Sequence, residues 1–183
     1  MKYNIDTLKQ ILRQAPNTPI IYFYGHTPDI DVITTSCFSQ WYNCTFEVDG
    51  VVYHTTEQYM MAQKAILFND KELFDQIMAT TKPRDHKRLG RKIRNFNDDI
   101  WNANKYDIVV KGNQAKFSQN PRLKEFLLST QNAILVEASL FDNIWGIGLD
   151  VESAKRSTID QWRGENVLGC VLMDVRDWLK ENL

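Results

Sequence analysis

The sequence is poor in the residues that build covalent or metal-stapled scaffolds. Cys37, Cys44 and Cys170 are an odd count without a CxxC pair, which excludes a disulfide framework. Three histidines never fall at ligand spacing from those cysteines or from one another, so neither a zinc site nor a cofactor is expected. No uninterrupted apolar run approaches the roughly 18 to 20 residues of a membrane helix. The opening MKYNIDTLKQILRQ is amphipathic and has no signal-peptide core. A cytoplasmic location without a membrane partner is the expectation. Repeats, low-complexity tracts and a Pro/Gly-rich linker are also missing. What remains is 183 residues, 43% hydrophobic and 25% charged, the usage of one folded domain large enough to bury a core.

The net charge of −1 hides an asymmetry. Residues 82–94 (KPRDHKRLGRKIR) carry seven Lys or Arg against one Asp, a local +6, which leaves 15 basic and 22 acidic residues, or −7, elsewhere. A focused cationic patch on an acidic body suits a phosphate-bearing ligand; a solvated helix face accounts for it equally well on charge alone.

Periodicity divides the chain into mostly helical pieces. Residues Ile5–Gln14 read as a short helix ended by Pro16 and Pro19, and IIYFY at 20–24 as a buried strand. Asp49-Gly50 between the apolar runs of 45–53 signals a hairpin. Thr55-Thr56-Glu57-Gln58 fits a capping box with Thr55 as N-cap, opening a helix to about residue 68. Further helices are expected over 70–79, 84–93, 98–116, 121–128 (capped by Asn120) and 167–181, with a strand-like ILVEA at 134–138. The result is a mainly α, α+β domain with a few short strands, too irregular for a Rossmann sheet.

Four groups of residues look chemical. Glu57, second in its helix, lies where the dipole favours an ionised carboxylate, although acids are also common there for structural reasons. Lys64 follows seven residues later, which at 100° per residue returns it to within about 20° of Glu57 and roughly 10 Å along the axis. Between them lie Tyr59, Met60, Met61 and Ala62, so this amine is set in an apolar helix. It can pair with phosphate, form a Schiff base, or snorkel. In 142–150 (DNIWGIGLD), Asp142, Trp145, Gly146 and Gly148 combine an acid, an indole and bare backbone, able to hold a ribose and stack a base; the alternative is a loop anchored by Trp145. The third glycine of the dinucleotide fingerprint is missing. Trp101 and Trp162, both in segments read as helical, are open between core and ligand, and Asn166 either presents backbone amides to an anion or caps the last helix. His54 reads as a packing or capping residue.

The ordered blocks FYGH, CFSQWY, FEVDG, TTEQYMMAQKA, RLGRKI, DIW, KGNQAKF, LVEAS, DNIWGIG, W-x-G-x-N-V-L-G and LMDVRDWL closely resemble the NADAR, or YbiA-like, family from about residue 22 to residue 178. Residues 1–19 then form a helical extension and 20–183 the family domain. Ser39-Gln40-Trp41 departs from the usual Ser-Asn-Phe. The resemblance implies a compact, mainly helical fold and N-glycosidase activity on ribosyl compounds, either ADP-ribose on the guanine amino group of nucleotides or nucleic acid, or phosphorylated ribosylamino pyrimidine intermediates of riboflavin biosynthesis. It places Glu57 on the acid of the S/T-E-x-Y motif, Lys64 on A-Q-K, Trp101 on the family tryptophan, and Asp142 and Trp145 on D-x-x-W-G.

Chemistry assigns the roles expected of these positions. Cleaving a C1–N bond builds oxocarbenium character that a carboxylate stabilises while it activates water, the part of Glu57. Asp142 would protonate the departing nitrogen or orient ribose hydroxyls. Trp101 or Trp145 would stack a base, and Arg88, Arg91 and Lys116 would meet phosphate. Lys64 offers a competing Schiff-base route. A non-catalytic reader of ADP-ribose is the contrasting class; paired acids near an anionic ligand argue for the enzyme.

Overall fold

The computed structural model describes residues 2–182. Along the chain run α1 (Ile5–Gln14), β1 (Ile20–Phe23), a 3₁₀ turn (Thr35–Phe38), β2 (Phe46–Val48), β3 (Val51–Tyr53), α2 (Thr56–Leu67), α3 (Lys71–Met78) and α4 (Pro83–Gly90). There follow α5 (Asp98–Gln119), α6 (Pro121–Ser129), β4 (Ile134–Glu137), α7 (Val151–Lys155), a second 3₁₀ turn (Ile159–Gln161) and α8 (Val167–Glu181). Helices dominate and strands are short, an α+β fold. Among the described residues no helix is long and apolar enough to cross a membrane.

Two compact units are built from this order, one from Met1–Ser39 with Arg122–Leu183 and one from Gln40–Pro121. In the first, β1 and β4 pair in parallel, Ile20 opposite Ile134 through Phe23 opposite Glu137. Parallel partners need a long crossover, and here it carries all of residues 24–133. α8 packs on β4 through a face on which Leu168, Val171, Leu172 and Val175 are buried; each such side chain contributes about 1.5–3 kcal/mol by leaving water. Phe38 closes the same core edge-on to Phe23, ring centroids 5.4 Å apart. Arg176, buried on α8, donates to Thr130 Oγ1 and to the Ala133 carbonyl, both at 2.8 Å. α1 is opened by a reciprocal Asn4–Thr7 cap and held to α8 by Tyr3 Oη donating to Asp177 at 2.8 Å.

The second unit packs α3, α4 and α5 around α2. Its β2–β3 hairpin turns at Asp49 and Gly50, both at positive φ (52° and 79°), the combination a two-residue turn of this hand requires. Tyr53, Tyr59 and Phe46 form an aromatic cluster, with Tyr53 edge-on to Tyr59 at 5.0 Å. Thr55 caps α2 by accepting from Gln58 N–H at 3.0 Å. The returning bond differs from the expected box: Gln58 Oε1 accepts from His54 N–H at 2.8 Å, one residue outside the cap, because its Nε2 is drawn the other way, to the Ile77 and Thr80 carbonyls. Asp70 caps α3 through Leu73 N–H and takes three bonds from Arg94, through its backbone N–H, Nε and Nη2. Those bonds hold the Asp70 carboxyl well below the usual carboxylate range.

Three local expectations are corrected. α5 runs to Gln119, and Asn120 does not cap α6; its amide donates backwards to the Lys116 carbonyl at 2.8 Å and to the Thr45 carbonyl at 3.1 Å. Trp162 is not helical but follows the second 3₁₀ turn in extended backbone. α7 and both 3₁₀ turns, too short to show a period, were not foreseen.

Candidate active site

Glu57 and Lys64 both lie on α2 of the second unit, a carboxylate in its first turn and an amine in its last. Glu57 stands in the first turn of α2 with 4% of its surface exposed, and its N–H donates to the Gln40 carbonyl at 2.9 Å. Lys64, half-buried in the last turn, donates Nζ to the Gly90 carbonyl, where α4 ends, at 3.1 Å. Its ammonium lies 4.1 Å from the Phe96 ring centroid and 5.4 Å from that of Trp101. Burial pushes its pKa below that of an ordinary lysine, against an upward pull from Asp98 and Glu57. Trp101, half-exposed over the lysine, is an aromatic wall of this cluster.

The cationic segment lies next to that pair in the same unit, because α4 packs on α2. Arg88 and Arg91 are exposed, Arg88 in contact with Asp85 at 3.3 Å. Arg94 is already engaged by Asp70 and Glu72. Lys116 is corrected. It is 0% exposed, its ammonium over the rings of Tyr42 and Phe117 at 5.6 and 5.2 Å, so it is a buried cation of α5 and not a phosphate contact.

The glycine loop belongs to the first unit and is held by its own backbone. Asp142 Oδ1 accepts from Ile144 N–H at 3.0 Å and Trp145 N–H at 2.8 Å, while Ile147 N–H donates to the Glu137 carbonyl at 3.0 Å. Gly146 is buried where a Cβ would crowd the Glu137 carbonyl at 2.9 Å, and Gly148 adopts φ +68°. Both glycines close the loop and neither presents bare backbone to solvent, which corrects their reading as ligand contacts. Trp145 stays half-buried. Asn166 is corrected likewise. At 0% exposure its Oδ1 accepts from Glu137 N–H at 3.0 Å and its Nδ2 donates to the Leu135 carbonyl at 2.9 Å, so its amide clamps β4 and reaches no ligand. It sits at the head of α8 in left-handed backbone without capping through its side chain.

Phe96 and Asn113 were not foreseen, and Gln40 was marked only as the departure from the usual Ser-Asn-Phe. Phe96 lies between helices and its contact with Lys64 is tertiary, so no local pattern marks it. The signal for Gln40 and Asn113 was their place in the CFSQWY and KGNQAKF blocks. A depression of about 260 Å³ lined by Ala65, Ile66, Asn69, Asp70, Lys71 and Phe74 holds neither Glu57 nor Lys64. Among the described residues no three His, Cys, Asp or Glu side chains converge as a metal site would require.

Comparison with known proteins gives the arrangement a context. The family model described as the NADAR domain matches residues 22–180. The chain is 45% identical over 161 residues to "N-glycosidase R617" of Acanthamoeba polyphaga mimivirus, covering 85% of this chain and 95% of that protein. It is 30% identical to "N-glycosidase YbiA" of Escherichia coli (strain K12), over 93% of this chain and 94% of that one. The NMR structure of E. coli YbiA superimposes with a TM-score of 0.73, covering 90% of this chain and 87% of that one. "Riboflavin biosynthesis protein PYRR, chloroplastic" of Zea mays is 30% identical over 70% of this chain, which spans 20% of that longer protein.

Proposed function

The chain belongs to the NADAR family and is an N-glycosidase, a hydrolase of N-glycosyl bonds, and from that premise we propose that it removes ADP-ribose from guanine in nucleotides or nucleic acid. The observation that carries the reading is the bond from Lys64 Nζ to the Gly90 carbonyl. It ties the end of the cationic helix to the helix that carries Glu57, which supports a phosphate-rich ribosyl group being held beside that carboxylate. Arg88 and Arg91 take the diphosphate as exposed cations, and Trp101 offers a face to a base.

Bond breaking follows from these groups. As the C1–N bond lengthens, positive charge spreads over C1 and the ring oxygen, and the Glu57 carboxylate opposite it stabilises that charge. Water adds to C1 and gives its proton to Glu57, while the guanine nitrogen leaves with a proton. Lys64, desolvated and easily deprotonated, supplies that proton as an ammonium, or as the free amine attacks the ring-opened imine, expels the guanine amine and forms a Schiff base that water then cleaves.

The relative named for riboflavin biosynthesis favours a second reading, cleavage of phosphorylated ribosylamino pyrimidines. Turnover of an ADP-ribosylated guanosine oligonucleotide and of a ribosylamino pyrimidine phosphate, measured side by side by mass spectrometry, separates the two. Preference for the first substrate by kcat/KM supports the proposal, and preference for the second overturns it.

A further inference from the structure

Gln40 joins three groups of the second unit. Its backbone carbonyl accepts from the Glu57 N–H at 2.9 Å and from the Thr56 hydroxyl at 3.2 Å. Its side-chain Oε1 accepts from Asn113 Nδ2 at 3.0 Å, and the same Nδ2 donates to the Val109 carbonyl one turn back on α5 at 2.9 Å. The N–H groups of a first helical turn have no partner within the helix. Here the Glu57 N–H takes one from a residue that α5 itself holds in place.

That bridge is an expensive way to hold a chain. Gln40 is 7% exposed and Asn113 0%, yet Gln40 Nε2 and Asn113 Oδ1 are buried without a hydrogen-bond partner. Each such atom disfavours the fold, and an apolar pair of similar shape would avoid the penalty. Buried polar atoms left in that state call for an explanation outside stability.

We propose that Gln40 and Asn113 are positioning residues for Glu57, their amide bridge fixing the entry of α2 and with it the direction of the carboxylate. The proposal rests on the reading of Glu57 as the group that acts at ribose C1. Removing the bridge leaves the Gln40 carbonyl able to swing, and a misplacement of about 1 Å at a reacting group lowers a rate by up to about a hundredfold.

The test is the double variant Gln40→Met with Asn113→Leu, which removes both amides and both unpartnered atoms at nearly constant shape. Melting temperature is expected to hold or rise, the Glu57 amide to exchange hydrogen faster, kcat on the ADP-ribosylated oligonucleotide to fall about tenfold or more, and KM to stay within about twofold. A stable variant with unchanged kcat overturns the proposal, as does a loss of kcat that only follows a lower melting temperature. Amide exchange keeps the two readings apart: if Glu57→Gln retains full activity the catalytic reading fails, whereas unchanged exchange at Glu57 in the double variant defeats the bridge itself.

Discussion

The ammonium of Lys64 lies 4.1 Å from the centre of the Phe96 ring, a contact that ties the reactivity of α2 to a residue between α4 and α5. The aromatic face attracts the ammonium, but burial away from water disfavours the charged form more, so the amine deprotonates more readily than one in solvent. That property yields a pH signature.

Lys64 loses its proton at lower pH than an ordinary lysine, burial being the main cause. If the amine attacks, kcat rises with pH through that depressed pKa; if the ammonium is the acid, kcat falls through it. Borohydride added during turnover decides independently. A reduced adduct that is absent in Lys64→Ala establishes the Schiff base, and productive turnover without an adduct leaves Lys64 the acid.

Arg88 and Arg91 are expected to act on substrate charge without supporting the fold. Converting both to Glu should raise KM for the ADP-ribosylated oligonucleotide by about five- to tenfold at low salt, with the difference narrowing as salt screens it. Melting temperature should stay within about 1 °C, because exposed charges contribute little to stability. An unchanged KM would remove these arginines from the site.

Asn166 makes the opposite prediction. Asn166→Ala leaves the Glu137 N–H and the Leu135 carbonyl without its amide, so urea unfolding should show a loss of about 2 kcal/mol or more. Full stability with weakened substrate binding would restore the ligand role that its buried position argues against.

The Asp70–Arg94 pair sets an acid limit. Its three bonds hold the folded carboxyl below the pKa it has in the unfolded chain, so the stabilisation is complete above the unfolded value and is lost as pH falls through the folded one. Asp70→Asn, which can still cap α3, should unfold at lower urea than the wild type at pH 7, and the difference should shrink in strong acid. A gap that persists there would mean the pairing is not its source.

The hairpin and the start of α2 were legible because each is written within a few residues, where turn chemistry and capping act directly. Arg88 and Arg91, expected to meet phosphate, lie exposed on the cationic segment. Lys116 and Asn166 misled because exposure is tertiary: nothing near Lys116 in the chain tells that Tyr42 covers its ammonium, and nothing near Asn166 tells that β4 takes its amide. Gly146 and Gly148 were rightly singled out as special backbone, but for a loop that closes on itself. Periodicity and turn signals supplied the fold class, mainly helical with a few short strands, and the family blocks added the family.

The central claim is that Glu57 acts at the ribose carbon of an ADP-ribosyl-guanine bond. The most direct measurement follows release of ADP-ribose by mass spectrometry from an ADP-ribosylated guanosine oligonucleotide, with wild type and Glu57→Gln at equal folded concentration. Multiple turnovers by the wild type and a kcat at least about a hundredfold lower in the variant are expected. Equal release by both proteins, or stoichiometric binding by the wild type without cleavage, would contradict it.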